Sequence, residues 1–521
     1  MKHYDLIVLG GGPAGYIAAE RAAALGKKVL LAEKKAIGGT CLNEGCIPTK
    51  SLLYGAKIYH QSRNSASLGV MAREVTFDLE TAMKHKASVI STLQKGILGQ
   101  LKRLGVELRT GEGRFLRPGL VSIDGEEIQG RFILLAQGSS SARPPIPGSR
   151  ENPRVVTSTE ILEIRERPKR LAVIGGGYIG MEFAAFFASI GTDVTVIEMM
   201  PEIIPTLDPE MARNLRSHLP GITFRRGYRV DRIQEGTLHI SPVQSDSSAT
   251  AAATGAATAT GAETIQTDLI LLATGRVSRA VEEGLGEAGV ALHEGCVVVD
   301  EYLQTNLPGV YAAGDITGRM LLAHAAYRMG EVAVSHMFRG DSLPDGSRTA
   351  AGRQNWPNKM RFDTIPWVVF TSPEVAGCGL TAREANSRGY QTETVTLPLM
   401  VSGRYVAEHP RERGTVTVVV NARDRRLLGV QMLGSGTSEI IHSAAAMIET
   451  GWTVENLRKI VFPHPTVSEA LRDALWAVPS GSPRDMTPHA TGSERAGEAQ
   501  NTVETPKTPG TKTHRKDTNH A

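Results

Sequence analysis

Residues 5–15 read DLIVLGGGPAG. The run DLIVL has strand character, the glycines at 10, 12 and 15 break it, and a helical stretch opens at Tyr16. A second apolar run, Val29 to Ala32, ends at Glu33. Strand, glycine turn, helix, strand and acid in this order make the βαβ dinucleotide fingerprint. The glycines let the chain turn tightly and let a pyrophosphate approach the helix N-terminus, while Glu33 can accept from a ribose hydroxyl. The pattern then recurs. LAVI at 171–174 leads into Gly175, Gly177 and Gly180, and VTVI at 194–197 ends at Glu198. The interval from last glycine to acid is the same in both copies, so the chain is predicted to bind two dinucleotides. Glu198 can pair with a free 2′-hydroxyl but would repel a 2′-phosphate, and Met199, Met200 and Pro201 offer no arginine in its place. The second site is therefore expected to prefer NAD(H) over NADP(H).

Between the two fingerprints lies GGTCLNEGCIPTK, residues 38–50, which holds two of the four cysteines in 521 residues. Five positions along a regular helix separate two Cα atoms by about 7.5 Å, beyond the usual reach of a disulfide. Cys41 and Cys46 can pair only if Cys41 lies off the helix, in the turn that feeds it, as Gly38, Gly39 and Gly45 would permit. So short a loop removes little unfolded-chain entropy, which suits a redox-active pair better than a structural staple. Spacing alone leaves unpaired thiols or half of a zinc site open. Zinc recedes because Cys296 and Cys378 stand alone, without short ligand spacing around either; no metal site is expected.

With these motifs together, and with LLATGR at 271–276, VYAAGDITGRMLLAHAA at 310–326 and FPHPTVSEAL at 462–471, the chain resembles the disulfide-reductase flavoproteins of the pyridine nucleotide-disulfide oxidoreductase class. Within them it is most similar to the dihydrolipoamide dehydrogenases, from about residue 3 to about residue 477. The resemblance implies FAD on the first fingerprint, around Gly10, Gly12, Gly15 and Glu33, and NAD on the second, around Gly175, Gly177, Gly180 and Glu198. Gly275 of LLATGR belongs with the cofactor-binding residues. Asp315 would bond the flavin's ribityl chain, although an Asp after a strand is by itself more simply a helix N-cap.

By the same resemblance Cys46 is the flavin-proximal thiol and Cys41 the one that exchanges with substrate. Lys50 shares a helix face with Cys46 and would favour its thiolate. Glu182 would pair with Lys50, though by themselves the two are ordinary charged side chains at helix starts. His464, between Pro463 and Pro465, would be the acid–base and Glu469 its orienting partner. Thr466 and Glu469 also have capping-box spacing, a structural rival for the glutamate. The activity implied is oxidation of dihydrolipoamide by NAD⁺ through a Cys41–Cys46 disulfide. It would run in a homodimer, with His464 serving the other subunit's cysteines and with lipoyl-bearing proteins of 2-oxoacid dehydrogenase or glycine cleavage complexes as partners. The alternatives are a reductase of another disulfide such as glutathione, or of mercuric ion, and, from a different class, a scaffold holding FAD for structure. Gln137, in AQGS at 136–139, departs from the family's usual threonine.

The fold class expected is α/β: two Rossmann-like dinucleotide-binding domains plus a C-terminal α+β dimerisation domain. The boundaries are 1–148 for FAD, 149–276 for NAD with a low-complexity insert at 245–261, 277–350 returning to the FAD domain, and 351–477 for the interface. A disordered tail follows at 478–521. Val416–Val420 and Leu427–Leu433 read as paired strands, with helices from Glu439 and Glu455. A formal charge of +4 is too mild to imply nucleic-acid binding. No apolar run has membrane-spanning length and no signal-peptide pattern opens the chain, so a reducing cytoplasm is expected.

Overall fold

The apolar run ahead of the first glycine turn is a strand, His3–Leu9, and Leu6 to Leu9 are buried on both of its faces. Continuous burial is what a central parallel strand requires. It lies between Val29–Glu33 and Glu126–Leu135, both parallel to it, with Leu6 opposite Val29 on one side and Phe132 on the other. Glu107–Thr110 flanks Val29–Glu33. On its other edge the long strand Glu126–Leu135 has two further partners. Its first half pairs antiparallel with Leu120–Ile123, and its second half, Ile133–Leu135, pairs parallel with Val310–Ala312. A chain segment 177 residues downstream is thus returned to the first sheet. The computed structural model describes residues 3–243, 261–341 and 359–480. The expectations of a mobile insert at 245–261 and of a disordered tail fall, apart from their edges, outside the described residues.

The second sheet repeats the first in miniature. Ile222–Arg226, Asp193–Glu198, Arg170–Ile174, Leu269–Leu272 and Val155–Thr157 lie side by side, all parallel. A three-stranded antiparallel sheet, Tyr228–Gln234, Thr237–Pro242 and Glu263–Gln266, is inserted in the chain between Ile222–Arg226 and Leu269–Leu272.

The helices between these strands position the cysteine segment. Leu52 and Ala56, on the helix Cys46–Arg63, share one buried core with Met181, Phe183 and Phe186 on the helix Tyr178–Ser189. Each of the larger of these side chains, Leu52, Met181, Phe183 and Phe186, contributes about 1.5–3 kcal/mol when taken out of water, so the two helices are held firmly against each other. On the other side, the helix Ala323–Met337 crosses Pro13–Ala24 closely. A Cβ on Gly330 would lie 2.6 Å from the Ala14 carbonyl oxygen.

The C-terminal part is a five-stranded antiparallel sheet: Trp367–Val369, Val375–Gly379, Leu427–Leu433, Thr415–Asn421 and Thr392–Pro398. Val416 faces Met432 and Val418 faces Val430, the pairing predicted from sequence. The helix expected from Glu439 begins two residues earlier, at Thr437. The one expected from Glu455 is a single turn, Val454–Leu457. Among the described residues no helix is long and apolar enough to cross a membrane.

Candidate functional site

The two glycine turns have the same local geometry. Gly10 sits at φ +103° and Gly175 at φ +108°, where a side chain would be strained. A Cβ on Gly15 would lie 1.9 Å from the Gly10 carbonyl oxygen, and one on Gly180 would lie 2.0 Å from that of Gly175. Glycine is therefore required for each helix to start so close to its strand. The acids are held alike as well. Gly11 N–H donates to Glu33 Oε2 (2.7 Å) and Gly176 N–H to Glu198 Oε2 (2.6 Å). Lys35 N–H donates to Glu33 Oε1 (2.8 Å) and Met200 N–H to Glu198 Oε1 (2.7 Å). Each carboxylate is fixed by two backbone donors and keeps further lone pairs for ribose hydroxyls. Neither helix N-cap, Gly12 or Gly177, carries a capping side chain, so the first-turn amides face the cleft.

The sequence predicts Cys41 in a turn; the structure instead gives it a helix of its own. Gly39–Glu44 is a short helix, Gly45 breaks the path at φ −150°, ψ −105°, and Cys46 begins the next helix. A Cβ on Gly45 would already touch the Thr40 carbonyl oxygen at 3.0 Å, so a glycine keeps the break tight. The break is what brings the two sulfurs into hydrogen-bonding contact, both as thiols. The Cys41 thiol, donating to Cys46, holds Cys46 below the ordinary thiol range; nearby Lys50 adds to this and burial opposes it. Cys41 is pushed up by the same hydrogen bond and by burial. Lys50 Nζ binds both oxygens of buried Glu182, at 2.8 and 2.6 Å, and lies 4.7 Å from the centre of the Phe370 ring. Phe370 N–H also donates to Glu182 Oε1 (3.1 Å).

Asp315 opens a short 3₁₀ helix, Asp315–Thr317, but its carboxylate caps nothing there. It accepts from Ser139 Oγ (2.5 Å) and lies 3.7 Å from Arg276 Nε. Arg276 in turn donates to Ser139 Oγ (2.7 Å) and to the Ser139 carbonyl oxygen (2.9 Å). Gly10, Gly12, Glu33, Cys41, Cys46, Lys50, Gly175, Gly177, Glu182, Glu198, Gly275 and Asp315 all line one cleft of about 810 Å³. Gly15 and Gly180 lie behind its wall, each against its turn.

His464 and Glu469 stand apart. Among the described residues, those lining the cleft do not include either. His464 Nδ1 meets Glu469 Oε1 at 2.9 Å, and the histidine side chain is 78% exposed. Glu469 Oε2 accepts from Thr466 N–H (3.0 Å). The glutamate thus contacts both groups the sequence set in competition, one oxygen each, but the helix it opens has Ser468, not Thr466, at its N-cap. The reciprocal half of the capping box is missing, because the Thr466 hydroxyl donates to the Pro463 carbonyl (2.8 Å) and meets Ser468 Oγ (2.7 Å).

Residues 4–330 match the family pattern "Pyridine nucleotide-disulphide oxidoreductase", and residues 365–475 match the dimerisation domain of the same family. The chain belongs to this family. It is 38% identical to a dihydrolipoyl dehydrogenase of Thermus scotoductus, over 92% of this chain and 98% of that one. It is 34% identical to a mitochondrial dihydrolipoyl dehydrogenase of Pisum sativum, over 91% of each. Among solved structures, the HOCl-induced flavoprotein disulfide reductase RclA of Escherichia coli, in its Cu(II) complex, superposes with a TM-score of 0.75. It shares 27% identity, over 92% of this chain and all of that one.

Pyridine nucleotide-disulphide oxidoreductases use FAD and NAD(H), and the cleft of this one fits them. Space stands open at both N-caps: nothing lies within 4 Å of a Cβ on Gly177, and only Gly39 Cα, at 3.8 Å, near one on Gly12. Gln137 and Arg279 belong to the wall of the same cleft, and both polar atoms of the Gln137 side chain and Nε of Arg279 are buried there without a partner. Ser139, Arg276 and Phe370 complete the oxidoreductase's site without having been singled out from sequence. Arg276 stands next to Gly275 in LLATGR, so its motif was visible. Ser139 likewise ends the quoted AQGS, whereas Phe370 carried no such signal.

Proposed function

We propose that this enzyme oxidises dihydrolipoyl thiols with NAD⁺, as a homodimer in a reducing cytoplasm. Its substrates would be carried on lipoyl-bearing proteins of 2-oxoacid dehydrogenase or glycine cleavage complexes. The observation that carries the reading is the Cys41–Cys46 contact beside the Lys50–Glu182 pair, in one cleft with both dinucleotide turns. Residues 1–148 and 277–350 are assigned to FAD, 149–276 to NAD and 351–477 to the interface. The pairing of Val310–Ala312 with Ile133–Leu135 supports the shared FAD assignment.

The cycle starts from the Cys41–Cys46 disulfide. Glu469 accepts from Nδ1–H of His464, which leaves Nε2 as the base. Because His464 is exposed and outside the cleft, the base at each disulfide is assigned to His464 of the partner subunit. It takes a proton from one substrate thiol. The resulting thiolate attacks Cys41 Sγ, the Cys41–Cys46 bond breaks, and its electron pair stays on Cys46 as a thiolate beside Lys50. The second substrate thiol then attacks the substrate sulfur of the mixed disulfide. This closes the cyclic lipoyl disulfide, releases Cys41 and returns one proton to it. FAD, when bound, would relay the two electrons from the cysteines to NAD⁺; the Cys41–Cys46 disulfide re-forms, and of the two protons held on Cys41 and His464 one enters NADH with the electron pair and the other is released. Glu198, already bonded to two amides, selects the free 2′-hydroxyl of NAD⁺.

Anaerobic titration with dihydrolipoamide, followed by NAD⁺ or NADP⁺, tests this. Formation of NADH with return of the oxidised spectrum is expected. The likeness to RclA, a flavoprotein disulfide reductase, favours one second reading, reduction of another disulfide. Reduction by NADH but not by dihydrolipoamide would support that reading instead.

A further inference from the structure

The cations on the Glu33 side of the cleft are nearly all engaged. Lys34 lies 3.6 Å from Glu283, Lys35 lies 3.3 Å from Glu44, and Arg276 is bonded to Ser139. Arg279 differs. Its backbone N–H donates to the Gly138 carbonyl (3.1 Å), which seats it against the Ala136–Ser139 turn, yet its buried Nε–H meets no acceptor. Gln137, in that same turn, buries both its carboxamide oxygen and its nitrogen without a partner. The residue before it, Ala136, is the one whose carbonyl oxygen a Cβ on Gly10 would reach at 2.3 Å, so Gln137 flanks the first glycine turn itself. Buried polar groups are almost always satisfied. Here two neighbouring side chains leave a cationic donor, a neutral donor and an acceptor unmatched on one wall of the cleft.

We propose that Arg279 and Gln137 hold the adenosine-diphosphate half of FAD, Arg279 by donating to the diphosphate and Gln137 by its carboxamide. The proposal rests on FAD occupying the first fingerprint. A guanidinium matches a phosphate in charge and in donor geometry. A carboxamide in place of the family's smaller threonine supplies the extra reach and the second polar atom. Neither residue is required for thiol exchange, so their contribution is to cofactor retention.

The test uses the full-length chain stripped of flavin, as wild type and as Arg279→Ala, Arg279→Lys and Gln137→Ala. FAD rebinding is followed by quenching of flavin fluorescence, with and without ADP as competitor. Arg279→Ala should weaken both FAD and ADP by roughly 10- to 100-fold, with Arg279→Lys recovering part of the loss. Gln137→Ala should weaken both by a smaller factor. The visible spectrum of bound flavin should not change. Unchanged FAD and ADP affinities in wild-type-like folded variants would overturn the proposal. So would weakening of FAD with ADP unaffected, which would put the contacts at the other end of the cofactor. A wild-type apoprotein that takes up no FAD would sink the underlying cofactor assignment as well, and is thereby distinguishable. If Arg279→Ala fails to fold, Arg279→Lys and Gln137→Ala carry the same decision.

Discussion

Lys50 and Glu182, 132 positions apart, meet in a two-oxygen ion pair under the Phe370 ring. The pair stands next to Cys46, where Lys50 favours the thiolate and Glu182 opposes it. Cys46 lies below the ordinary thiol range, so in the dithiol enzyme it is ionised above its lowered value and becomes protonated as pH falls through it. The Cys41 thiol contributes most to this lowering and Lys50 less. Cys41→Ala should therefore move the Cys46 midpoint further up in pH than Lys50→Met, and both should move it up. Thiolate absorbance against pH measures this; an unmoved midpoint in Lys50→Met would remove the lysine from the account.

His464 and the cysteines belong to different surfaces of one chain. If two chains complete each other, mixing His464→Gln with Cys41→Ser subunits creates one intact site per mixed dimer. Activity should return to roughly a quarter of wild type, against near zero for either variant alone. No recovery after subunit exchange, verified by mass, would place the whole reaction within a single chain. His464→Gln alone should lower dihydrolipoamide oxidation by about 10²- to 10⁴-fold, the usual span for a general base. It should leave reduction of the enzyme by NADH intact.

Gly180 allows its helix to start against Gly175, and an added methyl would overlap the Gly175 carbonyl oxygen at 2.0 Å. Gly180→Ala should retain FAD and still accept electrons from dithiol, yet raise the KM for NAD⁺ by more than about 10-fold. Gly15→Ala, with 1.9 Å to Gly10, should lose FAD instead. Flavin content and steady-state kinetics of the two variants separate the sites; loss of flavin from Gly180→Ala would merge them.

Glu198 accepts from Gly176 and Met200 amides. Glu198→Ala removes the anion that repels a 2′-phosphate and leaves those amides free. The ratio of kcat/KM for NAD⁺ over NADP⁺ should fall by roughly 10- to 100-fold. A ratio that holds would assign the preference to other residues.

Both dinucleotide turns were legible in the sequence because their cause is local. A missing Cβ at Gly15 or Gly180 is needed within a single strand–turn–helix unit, and Glu33 and Glu198 lie at the end of the next strand. The paired strands around Val418 and Val430 were legible for the same reason, being neighbours across one short connection. The path of the cysteine segment was only half legible: its glycines announced a break, but not that Cys41 would occupy a separate helix before it.

What the sequence alone determined, then, is the set of groups available: two glycine turns, an acid ending the strand after each, a close pair of thiols and a histidine between prolines. Tertiary structure decided which of these meet. The shared core of Leu52, Ala56 and Phe186 sets Lys50 on Glu182. The return of Val310–Ala312 to the first sheet carries Asp315 to Ser139, 176 positions away. The same packing leaves His464 outside the cleft and gives Glu469 a separate task for each oxygen. Contacts between distant elements depend on strand order and helix packing, which no local pattern of residues encodes.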